Sequence, residues 1–340
     1  MCILQYCVMG LFGRKKTDKQ LAVEFNIHGR ELLTDKDQRW EESIKCYDEA
    51  IKLDPEYFHP WFNKGGALRW LKKYEESITC FDKAIQLDTL RSGRVEIEEL
   101  SHAWYSIGAS FYALEKYEES ITYFDKAITF DPKDPNTWND KGESLRQLEK
   151  FEEAIACYDE VIRLNPEHEL AWIYKGEVLD KLGKFEEAIA CYDEEIKLDP
   201  EDSVAWNFKG ESLEQLGKFE EAIACYDEVI RLNPEKSISD NGEQILGVEV
   251  AWGFKARALE KLGKFEESIA CYDEAIKLAP QYPVTWKFKG QVLEKLGRDG
   301  EAQECFAKVK ELHKEAELEY EREEKEYYER RKSRGGSFRI

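Results

Sequence analysis

Tryptophan recurs in this chain at a fixed interval. Trp104, Trp138, Trp172 and Trp206 stand 34 residues apart, and so do Trp252 and Trp286. Two intervals are longer: 43 residues from Trp61 to Trp104 and 46 from Trp206 to Trp252. A period of this length marks a repeat architecture, in which one supersecondary unit is copied along the chain and buries its apolar face against its neighbours. The long intervals then read as inserts near 89–97 and 237–248, lying between units. No domain boundary is expected inside the array, although 340 residues would ordinarily make two or three globular domains.

Other positions keep the same register. Four residues after each Trp comes a small residue: Gly65, Gly108, Gly142, Gly176, Gly210, Ala256 and Gly290. Sixteen after it comes another (Ser77, Ser120, Ala154, Ala188, Ala222, Ser268, Ala302), and four further on an aromatic ring (Phe81, Phe124, Tyr158, Tyr192, Tyr226, Tyr272, Phe306). The unit from Ser203 to Asn233 shows what this encodes. Trp206, Gly210, Leu213 and Leu216 put one apolar face on a first helix. Gly217 tolerates the positive φ that stops it. Phe219, Ala222, Ile223, Tyr226, Val229 and Ile230 make the face of a second helix, and Pro234 prevents its continuation. Gly210 and Ala222 are small so that the two helices can cross closely.

This combination of Trp, Gly, small residue, aromatic and Pro resembles the tetratricopeptide repeat, from about residue 24 to about 314. The resemblance implies an all-α fold, a right-handed superhelical α-solenoid of antiparallel helix pairs. About eight repeats fall within residues 18–314. In the first, Phe25 replaces Trp. Two positions depart from the family pattern. Three residues after Trp, where the family has Leu, stand Lys64, Lys141, Lys175, Lys209, Lys255 and Lys289, with Ile107 the exception; where it has Tyr, this chain mostly has Leu. A Lys stem still covers apolar surface.

Outside the array, residues 1–17 read as a flexible leader, 315–332 as an extension of the last helix and 333–340 as a disordered tail. From Ala302 to Arg334 there is neither Gly nor Pro, so a long helix is expected. Its stripe of Val309, Leu312, Ala316, Tyr320 and Tyr327 is expected to cap the last face of the solenoid.

The apparent chemistry dissolves into the repeat. Seven of the nine cysteines share one repeat position, the residue before the aromatic ring. Helix axes pack about 8–10 Å apart, whereas a disulfide requires Cα atoms within about 7 Å. Repeated pairs such as Glu152–Glu153 and Glu186–Glu187 sit where second helices begin and suit the helix dipole; no pair differs from its copies, as a catalytic acid would. No phosphate loop, nucleophile elbow or zinc spacing is found. The chain reads as a non-enzyme without cofactor or bound metal. Its net charge of −21 disfavours nucleic acid and anionic membranes and favours basic partners. No run approaches the roughly 18 apolar residues of a membrane span. The apolar N-terminus precedes its basic triplet Arg14–Lys16, the reverse of a signal peptide, so a cytoplasmic location is expected.

The resemblance also implies where partners bind, because in this family the first helices line a concave groove. Its exposed positions carry over to His59, Phe62, Arg69 and Trp70 in the second unit and to His102, Tyr105 and Tyr112 in the third. They carry over to Asn139, Glu143 and Arg146 in the fourth, Glu177 in the fifth, and Asn207 and Glu211 in the sixth. The groove is thus aromatic at its start and acidic and amide-rich in its middle. It implies a protein or peptide partner, an extended segment with basic and apolar residues. Two alternatives stand beside this: a metal or small-molecule site at His59 and His102, and self-association through the terminal helix. Partner identity and oligomeric state stay open.

Overall fold

The computed structural model describes residues 16–34, 39–90, 97–232 and 247–333. Most of the leader, most of both inserts and the tail from 334 lie outside the described residues. Among those described are sixteen α-helices and no strand. The chain forms two compact units that divide at Val178–Leu179. The first holds helix pairs α1 (Asp18–Thr34) and α2 (Trp40–Leu53), α3 (Phe58–Trp70) and α4 (Tyr74–Leu90), α5 (Ile97–Ala113) and α6 (Tyr117–Phe130), and α7 (Pro135–Gln147) and α8 (Phe151–Leu164). The division falls within α9 (Glu169–Lys181). The second unit continues with α10 (Phe185–Leu198), α11 (Ser203–Gln215) and α12 (Phe219–Leu232). It ends with α13 (Val248–Lys261), α14 (Phe265–Leu278), α15 (Pro283–Lys295) and α16 (Asp299–Ser333). Within each unit every helix packs on the one before it and the one after it, the local contact pattern of a repeat solenoid.

The small residue four after Trp sits directly under the aromatic ring of its own repeat. A Cβ added to Gly142 would lie 2.7 Å from the Tyr158 ring, and one added to Gly210 would lie 2.6 Å from Tyr226. Gly65 and Gly108 meet Phe81 and Phe124 in the same way. These rings are among the largest fully buried side chains of the described residues. Around them collect Leu145, Ala154 and Cys157 in one repeat and Leu213, Ala222 and Cys225 in another. Burial pushes the thiols of Cys80, Cys157, Cys225 and Cys271 up to about 11, so they are protonated and unreactive at neutral pH.

Two further ties join successive repeats. The indole N–H of Trp61, Trp138, Trp172 and Trp206 donates to the carbonyl of the Pro six residues earlier, each at 3.1 Å, and Trp286 donates to Pro280 at 3.0 Å. The proline that ends one repeat thereby anchors the tryptophan that opens the next. Trp104, which follows the first insert, has no such proline, and its buried N–H has no partner among the described residues. The second tie is made by the lysines that depart from the family pattern. Lys64, Lys141, Lys175 and Lys209 reach Asp48, Asp125, Asp159 and Asp193 of the preceding second helix at 2.6 Å; Lys255 and Lys289 reach Asp227 and Asp273 at 2.5 Å. Four of these ammonium groups also lie over a Trp ring, as Lys141 does over Trp138 at 5.3 Å. Where Ile107 interrupts the series, Asp82 keeps the acidic position without that lysine. Burial raises its pKa, Lys126 opposes the rise, and Lys126 itself covers Trp104 at 4.5 Å.

The helix-to-helix turns share one geometry. Gly217 takes φ 73°, its N–H donates to the Glu214 carbonyl, and the Lys218 N–H donates back to Leu213, both at 2.9 Å. Gly183, Gly263 and Gly297 match it, but Lys72, Glu115 and Glu149 occupy the same left-handed position with a side chain. At the start of α7 Asp134 is the cap, accepting from the N–H groups of Asn136 and Thr137, and Pro135 takes the first helical position. Residues 16 and 17 belong to the fold, because Thr17 and Gln20 form a reciprocal capping box and Lys16 pairs with Glu24 at 2.6 Å.

The left-handed turns give a paired expectation. Glu149→Gly should stabilise the protein by about 1 kcal/mol and Gly217→Ala should destabilise it by a similar amount, since a Cβ is strained at positive φ. Urea denaturation of the two variants beside the parent measures both. Equal effects of either sign would show that backbone strain does not govern these turns.

Candidate functional site

The first helices α3, α5, α7 and α9 carry the groove residues of the N-terminal unit. Their rings form a continuous run. His59 lies against Phe58 with centroids 5.4 Å apart, Phe58 stacks on Phe62 at 5.6 Å, and Phe62 meets His102 at 5.4 Å. His102 then lies along Tyr105, and Tyr105 against the buried Phe124. The two histidines are connected through phenylalanine rings. Among the described residues no group of three or more His, Cys, Asp or Glu is arranged to hold a metal ion. His59 instead approaches Glu99 at 3.5 Å.

Beyond Tyr105 the run opens into a cavity of about 540 Å³. Tyr105 donates to Asp140 at 2.9 Å, and Asn139 donates to the same carboxylate at 3.3 Å. Asp131, Asp134 and Glu98 complete the acidic wall, with His102, His168 and Leu170 on the rim. Among the described residues no Lys or Arg lines the cavity, although Arg69 acts electrostatically on Tyr105 and His102. Asp134 is already engaged as the cap of α7. Burial pushes the Asp140 carboxyl above its ordinary range, against the lowering effect of its two donors.

The wall owes one residue to the first insert. The other first helices that carry a Trp begin three residues before it, or four in α13; α5 begins at Ile97, seven before Trp104, and α4 runs on to Leu90. The insert therefore lengthens the helices on both sides of it, and the extra turn of α5 supplies Glu98.

The remaining inferred residues are placed differently from one another. Trp70 is 67% exposed and stacks on Trp40, rings 5.5 Å apart, but does not line the cavity. Tyr112 is half-buried against Tyr117. Asn139, Glu143 and Asn207, inferred as exposed groove residues, are buried instead. Glu143 accepts from the Tyr158 hydroxyl at 2.5 Å and from Arg146 at 2.7 Å, and Arg146 reaches on to Glu177 at 3.2 Å. Asn207 donates to Glu211 at 2.6 Å, and burial raises the Glu211 pKa. Arg146 thereby ties α7 to α9, and the Tyr158 hydroxyl ties α8 to α7: the buried ring carries a hydroxyl, and a first-helix carboxylate accepts from it. Tyr192 with Asp180 and Tyr226 with Glu214 repeat this arrangement in the C-terminal unit.

That unit has a cavity of its own, which the sequence reading did not reach. It measures about 210 Å³ and is walled by Phe254, Tyr272, Val284 and Phe288. Val250, Gly253 and Arg257 lie on it at the same offsets from Trp252 that define the groove in earlier repeats, so the register would have found it had it been carried into the last two units.

Sequence profiles of the tetratricopeptide repeat match residues 35–92, 101–134, 139–203, 176–237 and 250–282. The chain belongs to the tetratricopeptide repeat family. Tandem repeats of this family make it a protein–protein interaction scaffold. Among solved structures, it is similar to a tetratricopeptide repeat protein from Parabacteroides merdae, with a TM-score of 0.53 and 13% identity over 75% of this chain and 93% of that one. That likeness concerns the fold alone. It also matches YrrB, a TPR protein with an unusual peptide-binding site, at a TM-score of 0.48 and 23% identity over 55% of this chain and 92% of that one. None of the curated proteins matches it. No described helix of this tetratricopeptide repeat protein is long and apolar enough to cross a membrane.

Asp140 supplies a test of the site that separates stability from binding. A carboxyl whose folded pKa is raised binds its proton more readily in the native state. Stability is therefore fully present below the unfolded Asp value and is lost as pH rises through the folded one. Asp140→Asn removes the buried charge and keeps an acceptor for Tyr105. Its melting temperature should exceed that of the parent at pH 7, and the gain should vanish below about pH 4. Thermal melts across this range read the difference; a variant less stable than the parent at pH 7 would refute the assignment.

Proposed function

We propose that this protein is a non-catalytic scaffold whose N-terminal groove holds an extended protein segment carrying apolar and basic residues. The observation that carries this reading is the cavity beside Tyr105. A concave site walled by Asp131, Asp140 and Glu98, with no Lys or Arg among the described residues that line it, is complementary to an Arg or Lys side chain. The raised pKa of Asp140 supports it, since a cation placed there would offset the cost of the buried charge. The aromatic run from Phe62 through His102 to Tyr105 offers a track leading to the cavity, and the exposed face of Trp70 offers an anchor further along the repeat. The net charge of −21 adds long-range attraction for a basic segment and repulsion of nucleic acid.

Fluorescence anisotropy with labelled ten-residue peptides tests the proposal. Peptides combining Arg or Lys with Leu or Phe should bind, and their Glu-substituted counterparts should not. Asp131→Asn combined with Asp140→Asn should weaken binding at least about 10-fold, and Trp70→Ala a further several-fold. Raising the salt concentration should weaken the parent more than the doubly neutralised variant. Equal binding of basic and acidic peptides, or no loss in the Asp variant, would remove this groove as the site.

A further inference from the structure

The last helix runs well past the array it belongs to. α16 packs on the preceding repeat through Ala302, Cys305 and Phe306, and Val309 and Leu312 remain partly covered. From His313 to Arg330 every side chain is exposed. The inferred cap therefore stops at Leu312, and Ala316, Tyr320 and Tyr327 of the stripe cover nothing in their own chain. Those 18 residues span about 27 Å of helix at 1.5 Å per residue. Tyr320 is 70% exposed, Tyr328 60% and Tyr327 59%. Short-range ion pairs, Arg322 with Glu319 and Arg330 with Glu326, are the support seen along it, and exposed pairs of this kind contribute little.

The charges on this segment are not mixed evenly. Residues 315–326 contain seven glutamates against Arg322 and Lys325, and residues 330–332 are Arg, Arg and Lys. Ala316, Tyr320 and Tyr327 share one face, continuing from Val309 and Leu312. A helix that is acidic in its first half and basic at its end, with an aromatic stripe between, complements its own reverse.

We propose that this extension pairs antiparallel with the same helix of a second copy of the chain. With Tyr320 opposite Tyr327 of the second copy, the glutamate-bearing stretch 315–319 runs alongside the stretch of the second copy that ends in the basic residues 330–332, and the two-fold axis repeats the match. A parallel arrangement would set glutamate against glutamate and arginine against arginine. The antiparallel arrangement also sends the two repeat arrays away from opposite ends of the helix pair. Glu323 lies opposite Glu324 of the second copy at the centre, and Glu324 opposite Glu323. The pairing is therefore held from its ends and is weak, with association in the range of about 1–100 μM.

Sedimentation equilibrium on the full chain tests this. The parent should shift from 39.8 kDa toward twice that mass over this concentration range, and about 0.5 M salt should weaken association at least about 10-fold relative to 0.05 M. A variant with Arg330→Glu, Arg331→Glu and Lys332→Glu should be monomeric, and so should one with Glu315→Lys, Glu317→Lys and Glu319→Lys. Mixed in equal amounts, these two variants should associate, because each restores the charge that the other lacks. Circular dichroism verifies the helix in each; if either triple variant loses it, Tyr320→Ser with Tyr327→Ser carries the same expectation of a monomer. A parent that stays monomeric throughout, triple variants that still dimerise, or a mixture that fails to associate would each overturn the proposal.

Discussion

A glycine backbone lying beneath an aromatic ring is the contact on which the rest of this molecule depends. Gly142 under Tyr158 and Gly210 under Tyr226 set how closely the two helices of a repeat approach. The approach lets the ring be fully buried and, in three repeats, leaves its hydroxyl close enough to a first-helix carboxylate to donate to it. That bond in turn places Glu143, Asp180 and Glu214 on the inner layer. Interiors packed to crystal-like density transmit such constraints directly.

Much of this was legible in the sequence because it is periodic. The spacing of Trp, Gly, small residue and ring locates every helix pair among the described residues, and Asp134–Pro135 announces the start of α7. The ion ladder was less visible. Each lysine three residues after Trp could be recognised as a departure from the family pattern, but its partner lies 16 residues earlier in most repeats and 28 earlier for Lys255, on a different helix. Nothing local in the sequence distinguishes Asp193 from the other carboxylates of its helix. Only the packing of α11 against α10 brings Lys209 to it.

The groove shows the same division between periodic and particular information. Positions inferred by register are all on first helices, yet their exposure depends on neighbours outside the register. Asn139 and Asn207 are buried with their amide N–H groups donating to the carboxylates beside them, whereas Trp70 stays exposed and stacks on Trp40 of another repeat. The cavity beside Tyr105 needs the additional turn at the start of α5, whose length follows from an insert and not from the repeat. The least repetitive part of the array therefore contributes most to its individuality.

The indole-to-proline bonds have a consequence for how such a chain is observed. Each one spans a single junction between repeats, and its proton is chemically distinct from every amide in the backbone. An indole proton exchanges with solvent only when its junction opens. Trp138, Trp172, Trp206 and Trp286 thus act as separate gauges, each reading the local opening of one joint in a chain that otherwise repeats itself too faithfully to be resolved. Trp104, which no carbonyl among the described residues holds, marks where that series is broken.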